Sequence, residues 1–500
     1  MSKFLIGWDE QSIVPDKKVN LFGQFYERIS QYVETDITAT AMAIECDGDE
    51  AIIVSLDIVH VQDFLLKMVR EKLKTVIPDF PSEKLIIGAT HSHTSIGYGM
   101  PFTGAKRGGA PVKPILAEFA PKDAKYKSLV TPTKDVLTPA EATELLVDRL
   151  STAAANAWKS RKEAFYANEF GRAPVGMCRR VEYDDGTAQM WGDVNTANFT
   201  CLEGGNDSGI ELLYMFGKDR KLTGIVANIA CPAQVLEHRS FISADYWGYV
   251  KENLRAKLGK DIYLLALCGA GGDQCPRDLI RWVNGETPIN DPNIHRPNYI
   301  ERKADPSMFD VKGCKLIGKR VSNEILSVYE EIEDVKDEID FTHKTMTLDL
   351  PLRRATMKQH DEAVREIEYY FAKNADKKEF TYEDTAKLHV YEGTIRRFRE
   401  QQNKEVVPTE VHIIRFGDVA FATNPFELFL DYGNQIKARS YAKQTFIMQL
   451  SCGAYGYLPT EKAENHGHYS AYISSGRVGH EGGDLLVRES ITEINKMFKE

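Results

Sequence analysis

Five times along this chain an apolar run stops in small residues and hands over to titratable or aromatic side chains. The handovers fall at His91/His93, at Cys231 with Glu237 and His238, at Asp273/Cys275, at Glu427, and at Tyr455/Tyr457. Between two of the runs, residues 62–77 carry helical spacing (Phe64, Leu65, Met68, Val69, Leu73). Strand, helix, strand with polar groups at the strand ends is the α/β pattern, so a mixed β-sheet core layered with helices is expected. Active sites of such sheets lie at those ends.

In chain order, Thr38–Cys46 and Ala51–Val61 read as a hairpin around Asp47-Gly48-Asp49. Residues 100–138 are rich in Pro and Gly and read as a long ordered loop over the site. They carry Lys106, Arg107, Lys113, Lys122, Lys125 and Lys127, which suit a soluble, anionic or hydroxylated ligand. Helices are expected from Pro139 to Arg161 with Thr138 as N-cap, from Asp245 to Leu258, and over 311–333. The charge-rich stretch 354–403 reads as an outer helical hairpin. Asn424-Pro-Phe-Glu427 reads as the opening of a helix, and a Gly- and His-rich loop spans 465–483. With no internal repeat or clean linker, one large domain over 1–500 is expected.

Composition narrows the function. A formal charge of −10 over 500 residues argues against a nucleic-acid surface. No stretch approaches eighteen consecutive apolar residues, so no membrane span is expected. The first residues turn acidic at Asp9-Glu10, too soon for a signal peptide. The eight cysteines include no CxxC pair, and reduced thiols in a cytoplasmic protein are expected.

His91 and His93 are two apart, so in extended backbone both rings face one way. With a thiolate or third imidazole and a carboxylate they make the ligand set that zinc takes. Hydrogen-bonded neighbours at a strand end would have the same spacing. Glu427 at a helix start is favourable to the dipole without a metal. Cys231 after a strand reads equally as a small buried hydrophobe. Cys275, in the sharp Gly269–Pro276 turn, could be an activated nucleophile or a shaping residue. The glycines of that turn lack the Lys-Ser/Thr of a nucleotide loop.

In order, these segments resemble the catalytic domain of the neutral/alkaline, non-lysosomal ceramidase superfamily. Thr90-His91-Ser92-His93 is similar to its Thr-His-Thr-His segment, and Gly272-Asp273-Gln274-Cys275-Pro276 to its Gly-Asp-Val-Ser-Pro turn. Ile242–Tyr249, Asn424–Glu427 and Tyr455–Thr460 resemble three further family segments. The resemblance implies a ceramidase-like fold and one Zn²⁺ held by His91, Cys231, Glu427 and Tyr457. Cys231 stands where the family has His, and Cys275 where it has Ser. The metal site could instead use His93 or His238.

The expected function is a zinc-dependent hydrolase acting on an amide or related bond of a small polar substrate, with no membrane partner. His93 would position water or shuttle a proton, Tyr457 and Arg179 would stabilise negative charge, and Asp273 and Cys275 complete the candidate site. A zinc-dependent glycosidase or esterase acting on a sugar derivative, or a non-catalytic ligand-binding member, are the alternatives. Oligomeric state is not legible.

Overall fold

The computed structural model describes residues 2–24, 26–99, 114–122, 125–126, 135–280, 282–284, 302–304, 310–377 and 379–499. Most of the 100–138 loop, including Lys106, Arg107, Lys113 and Lys127, lies outside them.

An eight-stranded sheet runs in the order Tyr263–Cys268, Leu222–Ile229, Gly209–Gly217, Lys162–Arg172, Leu5–Ser12, Thr38–Cys46, Asp49–Leu56, Leu85–Ala89. Asp47 and Gly48 both have left-handed backbone (φ 52° and 79°), the geometry of a two-residue hairpin turn that matches strand twist. Its two halves are joined through only two residue pairs, Leu5 with Glu163 and Ile6 with Lys162. Beyond that hinge the halves fold face to face. Leu213, Met215, Val226, Leu265 and Leu267 share one core with Met42, Ile53, Val54 and Ile87.

Strand alternation does the rest. Leu212, Tyr214, Ile225 and Ala227 point the other way, into a second core with Trp247, Val250, Cys314 and Ile317. Those last four lie on helices Tyr246–Leu258 and Val311–Glu330. On the opposite face, helices Asp63–Val76 and Pro139–Lys159 cover the first half, the latter opened by the expected Thr138 in a capping box with Glu141. The result is two sheet layers between two helix layers.

A second sheet, Phe341–Pro351, Val406–Phe416, Val419–Thr423, Gln444–Met448, packs alongside under helices Leu430–Arg439 and His480–Met497. The expected excursion is present as helices Met357–Lys373 and Tyr382–Glu400. Among the described residues, no helix is long and apolar enough to cross a membrane.

Three strand pairs are parallel: Asp49–Leu56 with Leu85–Ala89, Leu222–Ile229 with Tyr263–Cys268, and Val419–Thr423 with Gln444–Met448. All five polar handovers follow strands of these pairs. One expectation is corrected here: Glu427 does not open a helix. Glu427–Leu428 instead forms a short parallel bridge with Tyr457–Leu458, and the helix begins at Leu430. The parallel partner takes up the backbone that a helix start would have used.

Under the first handover lies a buried ion cluster. Lys251 Nζ is 3.2 Å from Asp57 Oδ2 and 3.6 Å from Glu10 Oε2. Asp57 also accepts from Thr90 Oγ1 at 3.2 Å and from the Thr38 N–H at 3.0 Å, tying the residue before His91 to the core. Removing one partner strands the other charges. Lys251→Met is therefore expected to lower unfolding free energy by about 3 kcal/mol or more in urea titrations at neutral pH. A loss under about 1 kcal/mol would show that the cluster is not holding this strand end.

Candidate active site

His91 has left-handed backbone (φ 63°), which turns its ring so that Nδ1 meets the Val59 carbonyl at 2.7 Å. A ring nitrogen against a carbonyl must carry a proton, so Nε2 is the ring position left for a metal or a second proton. That nitrogen faces Glu427 Oε2 at 3.4 Å. A cation holds such a pair together, either a second proton on the ring, as in a His–Glu ion pair, or a metal ion taken by both.

The Glu427–Tyr457 bridge brings carboxyl and phenol together, and the phenol donates to Glu427. Burial lifts the Tyr457 phenol well above its ordinary pKa, with the Glu427 charge adding to it. Burial opposes the Glu427 charge, but His91, Tyr457 and Arg179 together hold its carboxyl below the ordinary range. Arg179, buried, donates to Tyr457 Oη at 3.3 Å, to the Gly272 carbonyl at 2.9 Å and to Gln234 Oε1 at 3.4 Å.

Backbone stapling fixes these parts. Gln449 Oε1 accepts from the N–H groups of Gly271 and Leu428, and the Gly272 N–H donates to the Leu428 carbonyl. A Cβ on Gly272 would lie 2.4 Å from the Glu427 carbonyl oxygen, so the close approach of these two segments requires glycine.

His93 packs edge-to-face on His91 with ring centroids 4.7 Å apart, and its Nδ1 is 3.4 Å from Glu237 Oε2. Burial, reinforced by His91, Arg28 and Arg179, keeps its imidazole neutral. Arg28 holds the surrounding loops by donating to the carbonyls of Phe22, His93 and Arg239.

The remaining predicted residues are placed differently. Cys231 is buried, with its thiol donating to the Pro232 carbonyl at 3.6 Å and burial pushing it well above its ordinary pKa. Among the described residues, the groups of three His, Cys, Asp or Glu donors within 4.8 Å are Glu410–His412–Cys452 and Glu182–Glu203–His466, so Cys231 and His238 do not close a tight trio with His91 and Glu427. His238 is half-buried at the rim, its pKa lowered to about 4 by burial and by Arg239 and Arg28. Cys275 is fully buried and donates to the Arg277 carbonyl at 3.4 Å. Burial pushes its thiol up to about 12, so it is protonated at neutral pH. Asp273 Oδ1 accepts from the Leu430 N–H at 2.9 Å, anchoring the start of the helix behind the site.

Tyr469 was not anticipated as a site residue. Its ring lies 5.6 Å from that of Tyr457, on the Gly- and His-rich loop. Left-handed His468 and Ser470 flank it. Arg180 pins the loop through the carbonyls of Ala463, Gly467 and Tyr469. Arg179 and Arg180 are adjacent, and alternation sends one to the site and the other to the loop. Gln234 was likewise not anticipated, for it sits in a turn with no periodic signal, whereas Glu237 lies at an expected handover and faces His93.

No family model and no curated protein matches this chain. Solved structures do. A crystal structure of neutral ceramidase from Pseudomonas aeruginosa matches with TM-score 0.64 and 12% identity, over 100% of this chain and 75% of that one. A structure described as ceramidase complexed with C2 matches with TM-score 0.66 and 12% identity, over 100% of this chain and 76% of that one. The architecture of this chain is therefore neutral ceramidase-like across its whole length.

Proposed function

We propose that this chain is a metal-dependent, ceramidase-like hydrolase that cleaves an amide or related bond of a small polar substrate. His91 Nε2 facing the Glu427 carboxylate at 3.4 Å, with the Tyr457 hydroxyl on the same carboxylate, carries the reading, and the likeness to two ceramidase structures supports it. His91, Glu427 and the Tyr457 hydroxyl fit a zinc ion as donors, while Cys231, the fourth ligand that the sequence offers, does not group with them. Bound there, zinc would supply Lewis acidity and a water whose pKa is lowered to about 7.

The chain's own groups supply the rest. Arg179 and Tyr457 are buried donors fixed before any substrate arrives, the arrangement that stabilises charge developing on a carbonyl oxygen. His93, neutral and turned toward Glu237, is placed to hold a proton and orient a water. Arg179, Gln234, Glu237, Tyr457 and Tyr469 give the site many hydrogen-bonding groups, which suits a polar substrate better than paired alkyl chains.

Three outcomes test this. Purified wild-type chain should carry zinc, and His91→Ala or Glu427→Ala should each lower the content by one equivalent in elemental analysis while circular dichroism is unchanged. Zinc content identical in wild type and both variants contradicts the assignment. On a panel of water-soluble amides, Cys275→Ser should keep most of the wild-type turnover, because the buried thiol only donates to a carbonyl. A drop of several orders of magnitude with zinc intact would identify a thiol nucleophile. The chain should not co-sediment with vesicles and should barely hydrolyse detergent-solubilised ceramide. Efficient ceramide cleavage would refute the polar-substrate reading.

A further inference from the structure

We propose that Glu410, His412 and Cys452 form a second metal site, taking a zinc-class divalent cation that ties the turn after Gln444–Met448 to strand Val406–Phe416. Their ligand atoms lie within 4.8 Å of one another. Glu410 and His412 are two apart on strand Val406–Phe416 and so share a face. Cys452 follows strand Gln444–Met448 with left-handed backbone (φ 59°), and its N–H donates to the Ile87 carbonyl of the first sheet.

With both rings neutral, the hydrogen bonds around His412 are one proton short. His343 Nδ1 is 2.9 Å from the Glu50 carbonyl, His343 Nε2 is 2.9 Å from His412 Nδ1, and His412 Nε2 is 2.9 Å from Glu410 Oε1. Each of these three contacts needs one proton, and two neutral imidazoles supply two. Thr345 Oγ1, 3.2 Å from His412 Nδ1, cannot remove the deficit, because a proton donated there leaves His343 needing two.

A metal on His412 Nε2 resolves the count. His412 then donates Nδ1–H to His343, and His343 donates Nδ1–H to Glu50, a relay of the kind that orients metal-bound histidine. Arg70 donates to Glu410 Oε2 at 3.0 Å and to Oε1 at 2.7 Å, fixing the carboxylate while leaving lone pairs on it. A metal binding Cys452 displaces the thiol proton to solvent and leaves a thiolate, the soft donor that favours zinc over magnesium or calcium.

The test uses the full chain carrying His91→Ala, so that the candidate active site is disabled. Stripped of metal and given zinc alone, it should retain about one zinc per chain after desalting, and the wild type about two. Cys452→Ser or Glu410→Gln in that background should weaken zinc binding by more than about tenfold with the circular dichroism spectrum unchanged, while Cys231→Ser should not. With cobalt as probe, the thiolate charge-transfer band should vanish in Cys452→Ser only. No zinc in the His91→Ala chain, or undiminished binding in both Cys452→Ser and Glu410→Gln, overturns the proposal. If the His91→Ala chain binds as much zinc as wild type, the active-site reading fails separately and the Cys452 result still decides this one.

Discussion

The hydrogen bond from His91 Nδ1 to the Val59 carbonyl is the contact on which the functional account rests. It fixes the proton on Nδ1 and aims Nε2 at Glu427. That geometry needs the left-handed turn at His91, which is costly for a residue with a Cβ and persists only where its surroundings fix it. Here Asp57 holds Thr90, and Lys251 neutralises Asp57, so strain at the strand end is balanced by a buried ion cluster.

The same device occurs twice in this fold. One ring nitrogen of a buried histidine is satisfied by a carbonyl, directly for His91 and through His343 for His412, and the other is left against a carboxylate. Both carboxylates are held by a neighbouring donor, Tyr457 for Glu427 and Arg70 for Glu410. The first lies at parallel strand ends, where chemistry is accessible. The second lies between strand Val406–Phe416 and the turn after Gln444–Met448, where a cation would act on stability.

Much of this was legible in the residues. The abrupt end of each apolar run marked the strand ends that converge, because a buried strand must finish where polar groups can be tolerated. The helix starting at Pro139 was visible in Thr138 and Glu141, whose side chains satisfy the first backbone donors. Glu427 was misread as a helix start, since nothing local distinguishes a helix opening from a two-residue parallel bridge to a strand thirty positions on. Tyr469 owes its place to Arg180 and to a left-handed loop, both set by tertiary contacts. Glu410, His412 and Cys452 carried no motif, because their meeting depends on pairing between separate strands and on Arg70 from a distant helix.

The measurement that bears most directly on the central claim is an anomalous difference map at the zinc edge from crystals of the full chain grown with zinc. The account predicts a peak bonded to His91 Nε2, Glu427 and the Tyr457 hydroxyl. A map with no peak there, and His91 Nε2 in direct hydrogen-bond contact with the Glu427 carboxyl, would contradict it.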